Sequence, residues 1–379
     1  MQKKSYCFFS AQYLPHMGGV ENYTYHLAKE LVRRGNKVTI VTSNVENVDL
    51  YEKKEGIEVF RIPCWNLLDG RFPVLKVSAF FLKVNKELKK RNYDMVIVNT
   101  RFYLHSIYGA IYAKKKKIRC IFIEHGTGHL SLHNPVLDNV ENIVEHSMTL
   151  VEKKLCNEFY GVSNACLEWL QHFHINGKGV LYNAIDLEDI KEKSEKKVKD
   201  YRKMYNIPQK AIIISFTGRL LKEKGIFKLI NSVENIINEN SNIYLLIAGD
   251  GPEWKNVKEK ESAHIIVLGR INSEEIVALL NQTDIFCLPS DSEGMPTSVL
   301  EAAACKAYII TTKKGGAKEL ICNKSYGIIM DSNDVTTVEK TLKRALPKGE
   351  ERKKAVDLTY QRLKNMFTWE KVAEKLMNI

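Results

Sequence analysis

Two glutamates, Glu293 and Glu301, bracket the stretch Gly294-Met295-Pro296-Thr297-Ser298-Val299-Leu300. A strand-like run, Asp284–Leu288, comes just before and a helical pattern starts at Pro296, so the local order is strand, loop, helix. Gly294 lets the loop take unusual backbone angles, and Pro296 suits a first helical position. Free backbone N–H groups at the helix start can then hold an anion. Glu293 in the loop and Glu301 on the second helical turn could reach opposite ends of one elongated ligand. Carboxylates repel phosphate, so sugar hydroxyls suit them better. The competing reading is an acidic loop whose charge complements the helix dipole.

Thr217-Gly218-Arg219-Leu220-Leu221-Lys222-Glu223-Lys224-Gly225 again follows a strand and precedes a helix. Arg219 offers a planar fork and Lys224 a point charge, a pair that matches the two phosphates of a nucleotide diphosphate. Lys222 reads as a solvated charge. Nearer the start, Pro15-His16-Met17-Gly18-Gly19-Val20-Glu21 joins a strand to a helix, and its paired glycines allow a backbone to approach a ligand closely. It is not the G-x-G-x-x-G fingerprint, which lowers a nicotinamide or flavin reading. A tight turn with no ligand is the plainer alternative.

Glu124-His125-Gly126-Thr127-Gly128-His129 leads on to His133, which places three histidines at four-residue spacing. The glycines argue against a helix that would align the rings, and no nearby Cys or paired acid completes a zinc site, so no metal is expected here. His125 is the better candidate, as a hydrogen-bond donor at a strand end; His129 and His133 read as loop or surface packing. The eight cysteines are scattered with no CxxC pair, which argues against a disulfide framework or a zinc finger and for reduced core residues.

These motifs need a scaffold that carries them on strand ends. Strand-like runs fall at Ser5–Ser10, Lys37–Thr42, Ile57–Ile62, Asp94–Asn99, Ile118–Glu124 and Glu158–Val162. A second series falls at Ala211–Thr217, Ile243–Ala248, His264–Leu268, Asp284–Leu288, Ala307–Thr311 and Gly327–Met330. Helical patterns lie between them, such as Val20, Tyr23, Leu27 and Leu31. The expectation is α/β: two doubly wound parallel-sheet domains facing a central cleft, with ligands at the carboxyl ends of the strands. The division is expected at 185/186, with residues 186–205 as a charged linker and adjoining helix.

Length and charge agree with this plan. The 379 residues, 44% hydrophobic and 27% charged, bury ample core for two domains and exclude a disordered chain or fibre. Net charge is +12, with +8 in residues 1–185 and +4 in the rest, which implies an anionic partner. Apolar residues at helical spacing from Val74 through Phe80 and Phe81, with Lys76, Lys83, Lys86, Lys89, Lys90 and Arg91, read either as an ordinary helix or as one lying on an anionic membrane. Lys114–Lys117 adds a second cluster. Aromatics interleaved with basic residues are sparse, so nucleic acid is not expected. No run reaches the roughly 18 apolar residues that span a bilayer, and the start lacks a signal-peptide core, so a cytoplasmic or peripheral inner-face location is expected.

Taken in order, Gly18-Gly19, His125, Thr217-Gly218-Arg219, Lys224, Ala248-Gly249-Asp250-Gly251-Pro252 and Glu293 to Glu301 make the chain resemble a retaining glycosyltransferase of the GT4 type. The resemblance implies the GT-B architecture: two Rossmann-like domains, an acceptor-side domain at 1–185 with a crossing helix at about 362–379, and a nucleotide-sugar domain at 186–361. It implies no cofactor and no metal. By the same resemblance, Glu301 would hold the ribose, Glu293 the donor sugar, and Arg219 with Lys224, beside Gly218, the diphosphate. Met295, Pro296 and Thr297 after Gly294 would face the sugar and second phosphate. Leu268-Gly269-Arg270 would hold the base through backbone atoms. Gly19 would close on the phosphates, while Gly18, Gly19 and His125 would serve the acceptor side, His125 also touching the donor sugar.

Implied partners are a nucleotide sugar, expected in its UDP form, and a glycan or lipid-linked acceptor in cell-surface polysaccharide or glycolipid synthesis. Two alternatives share these features: a nucleotide-sugar epimerase and a non-catalytic sugar-nucleotide or glycan-binding subunit. One departure from the family pattern is Ala304-Cys305-Lys306-Ala307-Tyr308, where a Gly and a Pro are usual. Lys306 would then occupy a left-handed position at the helix end, with the turn reshaped.

Overall fold

The computed structural model describes residues 3–67, 70, 72–129, 134–196 and 198–379, with the backbone alone at 135. His133 lies outside these residues. The chain divides into two compact units, Met1–Tyr182 with Trp369–Ile379, and Asn183–Thr368. Residues 362–368 stay with the second unit, where Leu363 and Phe367 are buried, and the return to the first begins at Trp369.

In the first unit the strands are β1 (Ser5–Ser10), β2 (Lys37–Ser43), β3 (Tyr51–Lys54), β4 (Ile57–Ile62), β5 (Cys64–Leu67), β6 (Phe72–Leu75), β7 (Met95–Asn99), β8 (Arg119–Glu124), β9 (Phe159–Gly161) and β10 (Gly179–Val180). Eight form one sheet in the order β10-β9-β8-β7-β1-β2-β4-β3, parallel except for β3, and β5-β6 is a separate hairpin. Burial explains the parallel strands: β1 and β7 are apolar runs buried almost throughout, as strands covered on both faces require. Between the sheet and its helices, Phe9, Val96, Val98, Phe122, Phe159 and Leu170 pack into one core.

The second unit holds β11 (Ile212–Thr217), β12 (Ile243–Ala248), β13 (Ile265–Gly269), β14 (Ile285–Leu288), β15 (Tyr308–Thr312) and β16 (Ile328–Met330). Their order is β13-β12-β11-β14-β15-β16, all parallel. This is the Rossmann order 3-2-1-4-5-6, and the chain reverses its direction of travel between β11 and β14, where such sheets open a crevice for ligands. The loops after these two strands carry Arg219, Lys224 and Glu293. The crossover helix Ile226–Glu239 buries Ile226, Leu229, Ile230, Val233 and Ile236, an apolar stripe at three- and four-residue spacing.

Two expectations are corrected here. Val74 and Leu75 belong to β6, and the helix runs only over Ala79–Lys90, started by the Ser78 hydroxyl accepting from Phe81 N. Val84 and Leu88 on that helix are buried in the core, with Phe80 and Phe81 packed against it. Burying one such side chain is worth about 1.5–3 kcal/mol, more than the about 1 kcal/mol that a basic residue gains at an anionic membrane, so the core holds the stripe. Secondly, residues 186–205 form two capped helices, Leu187–Glu195 and Tyr201–Met204, with Ile190 and Tyr201 buried in the second unit. All eight cysteines are free thiols; Cys7, Cys64, Cys156, Cys166 and Cys287 are buried, whereas Cys120 and Cys305 are half-buried and Cys322 is exposed, so the core reading holds for five of them.

Lys306 does stand in the left-handed region, at φ 60°. The turn is an ordinary Schellman motif, with Ala307 N donating to Ala302 O at 2.9 Å and Lys306 N to Ala303 O at 3.1 Å. A side chain there costs about 1–2 kcal/mol, which the Lys306 ammonium, 5.0 Å from the Tyr360 ring centroid, offsets in part. Lys306→Gly is therefore expected to stabilise the protein by about 0.5–1 kcal/mol, read as a higher denaturant midpoint with unchanged slope. A lower midpoint would show that the ring contact outweighs the strain.

Candidate functional site

In the second unit, close backbone packing clusters the strand-end loops. Gly225, at φ 72°, ends the turn Lys222–Lys224, and a Cβ there would lie 2.0 Å from Pro289 O, so only glycine lets this turn sit against the loop after β14. Gly315 does the same from the other side, where a Cβ would fall 2.2 Å from Glu293 O. Hydrogen bonds lock the stack: Asp291 N donates to Glu223 O at 2.7 Å, Ser290 Oγ to Glu223 O at 3.2 Å, and Gly316 N to Gly294 O at 2.7 Å.

The side chains follow from this frame. Lys224 Nζ lies 2.6 Å from Glu293 Oε1, with both groups largely buried. The loop residues read as a phosphate cation and a sugar carboxylate are thus immediate neighbours, although 69 residues separate them. Arg219 is exposed, and its guanidinium makes no hydrogen bond or ion pair among the described residues. Lys222 is solvated, 3.8 Å from Glu253. Arg270 is exposed just past the end of β13.

Pro296 is the cap of the helix Thr297–Ala304 rather than its first residue, since its ψ of 112° is extended. No side chain caps this helix, so its first-turn N–H groups keep capacity for an anion. The Met295 carbonyl is already taken by Asn183 Nδ2 at 3.2 Å. Glu301, four residues after Thr297, sits on the same helix face one turn on. Burial pushes its carboxyl up to about 7, and Lys193 draws it partway back.

The first unit arranges Gly18, Gly19 and His125 around the helix Gly19–Arg33. Gly18 is the helix cap, and a Cβ there would lie 2.3 Å from the Glu21 carboxylate; Gly19 is exposed with open space around it. His125 packs edge-on to Tyr23, ring centroids 4.8 Å apart, and Tyr23 likewise meets Trp369 at 5.3 Å. Loss of water around the ring lowers the His125 pKa to about 3, so the imidazole is neutral. Asn99 donates its amide to Thr24 Oγ1 at 2.7 Å, and its oxygen lies 3.3 Å from His125 Nε2. That oxygen can only accept, so the ring proton sits on Nε2 and Nδ1 remains an acceptor. His125 therefore offers a ligand an acceptor, not the donor expected from sequence.

Sequence reasoning missed what holds His125 in place. Glu124 Oε1 accepts from His125 N at 3.0 Å and Gly126 N at 2.9 Å. Its other oxygen lies 2.5 Å from Arg101 Nε, and Arg101 Nη1 lies 2.7 Å from Glu145 Oε1. Arg101 is 1% exposed, with its guanidinium 3.6 Å from the Phe173 ring centroid. Burial raises the nearby Glu152 carboxyl above its usual range, and this third acid accepts from Phe102 N at 3.1 Å. Glu124 stood beside His125 in the motif; no pattern pointed to Arg101. Nor did His129 turn out to be simple loop packing: it meets His146 and His172, and Glu141 and Glu145 supply the acids that looked absent.

Known proteins match this chain along its length. Residues 17–189 match the family described as Glycosyltransferase Family 4, and residues 197–362 match Glycosyl transferases group 1. The uncharacterized glycosyltransferase MJ1069 of Methanocaldococcus jannaschii is 23% identical over 393 residues, covering 100% of this chain and 98% of that protein. The GPI3 subunit of phosphatidylinositol N-acetylglucosaminyltransferase from Saccharomyces cerevisiae is 24% identical over 379 residues, covering 97% and 80%. Among solved structures, Anabaena Alr3699/HepE in complex with UDP superposes with a TM-score of 0.75 at 16% identity, covering 100% of this chain and 99% of that one. The same protein has been solved with UDP-glucose. A glycosyltransferase from Rickettsia africae gives a TM-score of 0.76 at 20% identity, covering 100% and 98%. With two Rossmann-like units of the GT-B fold and both family regions in sequence, the chain belongs to the group 1, GT4-type glycosyltransferases.

Proposed function

We propose that this chain is a retaining glycosyltransferase that moves a sugar from a UDP-linked donor to a hydroxyl of a glycan or lipid-linked acceptor, in cell-surface polysaccharide or glycolipid synthesis. The observation that carries the reading is the Lys224–Glu293 pair at the β11/β14 switch point, where the loop after β11 also carries the uncommitted Arg219. In a nucleotide sugar, a phosphate is bonded directly to the anomeric carbon, so a cation for the phosphate and a carboxylate for the sugar must be adjacent. A 2.6 Å ion pair meets that requirement. Arg219 takes the diphosphate with its planar fork, the open first turn of the helix Thr297–Ala304 adds N–H donors, and Glu301 takes the ribose hydroxyls. The backbone around Gly269 and Arg270 faces the base.

As the anomeric bond breaks, negative charge grows on the leaving diphosphate. Arg219, Lys224 and the helix N–H groups stabilise it, with no proton supplied by protein and no metal required. The leaving phosphate oxygen takes the proton of the acceptor hydroxyl, which attacks on the same face. His125, neutral and with Nδ1 as acceptor, orients a sugar hydroxyl rather than supplying charge. Gly19 leaves room for substrate at its helix start.

A panel of UDP- and other nucleotide-linked sugars tests the reading by thermal shift. A true donor at 100 times its dissociation constant adds about 2.7 kcal/mol. No stabilisation by any nucleotide sugar would overturn it. Glu301 gives the binding a pH signature. Only its ionised form accepts both ribose hydroxyls, and its carboxyl stands at about 7. A UDP-sugar diphosphate has no proton to gain near neutrality. Donor affinity is therefore expected to fall about tenfold between about pH 8 and pH 6. Glu301→Gln should flatten this dependence, and a profile that survives it would remove Glu301 from the ribose.

The acceptor side is assigned to a peripheral position on an anionic membrane. No helix among the described residues is long and apolar enough to cross one. Lys116 Nζ donates to Lys89 O at 2.7 Å, which merges the two basic segments into one patch. The helix Pro135–Leu155 also exposes Val140, Ile143, Val144 and Val151, a stripe not recognised from sequence. Sedimentation with anionic vesicles at low salt is expected, and high salt should reverse it; failure to bind at low salt would leave a soluble acceptor.

A further inference from the structure

Three histidines outside the donor site meet in the first unit. His129 lies in the segment after β8, His146 in the helix Pro135–Leu155, and His172 at the end of the helix Asn164–His172. Ring centroids are 5.6 Å apart for His129–His146, 5.1 Å for His129–His172 and 5.1 Å for His146–His172. One ring nitrogen from each lies within 4.8 Å of the others. Three imidazoles at roughly 2.0–2.1 Å from a tetrahedral ion would have centroids roughly 5 Å apart and ligand nitrogens roughly 3.4 Å apart. The rings already have the first spacing. Small rotations close the second, and His146 and His172 are exposed and free to make them.

Hydrogen bonds fix which nitrogens of two of the rings stay available. His129 Nδ1 is 2.5 Å from Glu145 Oε2, whose other oxygen is held by Arg101. His146 Nδ1 donates to Asn142 O at 2.8 Å. Both rings thus spend Nδ1 on an outer partner and keep the Nε2 lone pair, the arrangement that orients histidines bound to metal. Trp169 stacks on His172 with ring centroids 4.9 Å apart and planes 4° off parallel, backing the third ring. Hard cations such as magnesium and calcium prefer oxygen ligands, whereas three imidazoles suit zinc and its neighbours.

We propose that His129, His146 and His172 bind one divalent ion of the zinc class, with its fourth position open to solvent, and so tie the segment after His125 to two helices of the first unit. The ion lies outside the sugar-transfer groups. Glu145, which holds the His129 ring, leads through Arg101 and Glu124 to the backbone N–H groups of His125 and Gly126.

Calorimetric titration of the untagged, EDTA-stripped full chain with zinc chloride tests this. One equivalent is expected to bind, while magnesium gives no heat. Cobalt(II) should produce visible d–d bands of nitrogen coordination that zinc abolishes. The double variant His146→Asn/His172→Asn alters two exposed side chains, so it should keep the wild-type circular dichroism. It is expected to bind zinc at least roughly 100-fold more weakly, since loss of an outer partner alone costs 10–100-fold, and to lose the cobalt bands. Absence of stoichiometric zinc binding in the wild type, or full affinity in the double variant, would overturn the site.

Discussion

Replacing Arg219 with alanine is expected to lower kcat for sugar transfer about 10²–10³-fold, about 3–4 kcal/mol of transition-state stabilisation, with the unfolding midpoint unchanged. The separation of the two effects follows from the environment. Arg219 is exposed and its guanidinium has no protein partner among the described residues, so its removal leaves nothing unpaired in the folded state. Lys224→Ala should lose a similar amount of activity but also destabilise the fold by about 1 kcal/mol, because Glu293, whose side chain is 11% exposed, loses the cation 2.6 Å away. Steady-state kinetics beside denaturant melts read both quantities. Near wild-type turnover in Arg219→Ala would remove the diphosphate from this turn.

Arg101→Met is expected to cost about 3–5 kcal/mol of stability, several times the loss expected for Lys224→Ala. Methionine fills much of the volume against Phe173 but leaves Glu124 and Glu145 buried without their cation. Guanidinium melts of the variant at pH 8 should read this loss as a lower midpoint. Adding Glu124→Gln and Glu145→Gln should recover part of it. A wild-type midpoint at pH 8 would mean that the cluster does not hold the segment around His125.

The sequence made the buried parallel strands legible and left the edges obscure, for one physical reason. Strands such as Ile212–Thr217 and Met95–Asn99 are covered on both faces and are apolar over most of their length, which leaves an unmistakable run. Tyr51–Lys54 has its side chains largely in water and Gly179–Val180 has only two residues, so neither leaves a pattern. Val74–Leu75 reads as helix because its apolar residues fall in step with the true helix from Ala79.

The candidate site divides in the same way. Arg219, Lys224, Glu293 and Glu301 were legible because each follows a recognisable strand end, and the sheet order then brings the two loops together. Their pairing was not, because Lys224 and Glu293 belong to different loops. Arg101 reads as one more surface cation until β7, β8 and the helix Pro135–Leu155 enclose it. His129, His146 and His172 come from a loop and two helices, at separations that match no metal motif.

Sugar transfer can be measured directly. The purified chain is incubated with the UDP-sugar that stabilises it most, with and without a lipid-linked glycan acceptor, and products are followed by mass spectrometry and proton NMR. The expected products are an acceptor heavier by one sugar and an equal amount of UDP, with the anomeric configuration of the donor kept in the new linkage, and none of this with Arg219→Ala. Conversion of the donor to an epimer without acceptor, an inverted linkage, or tight donor binding with no transfer to any acceptor would contradict the proposed function.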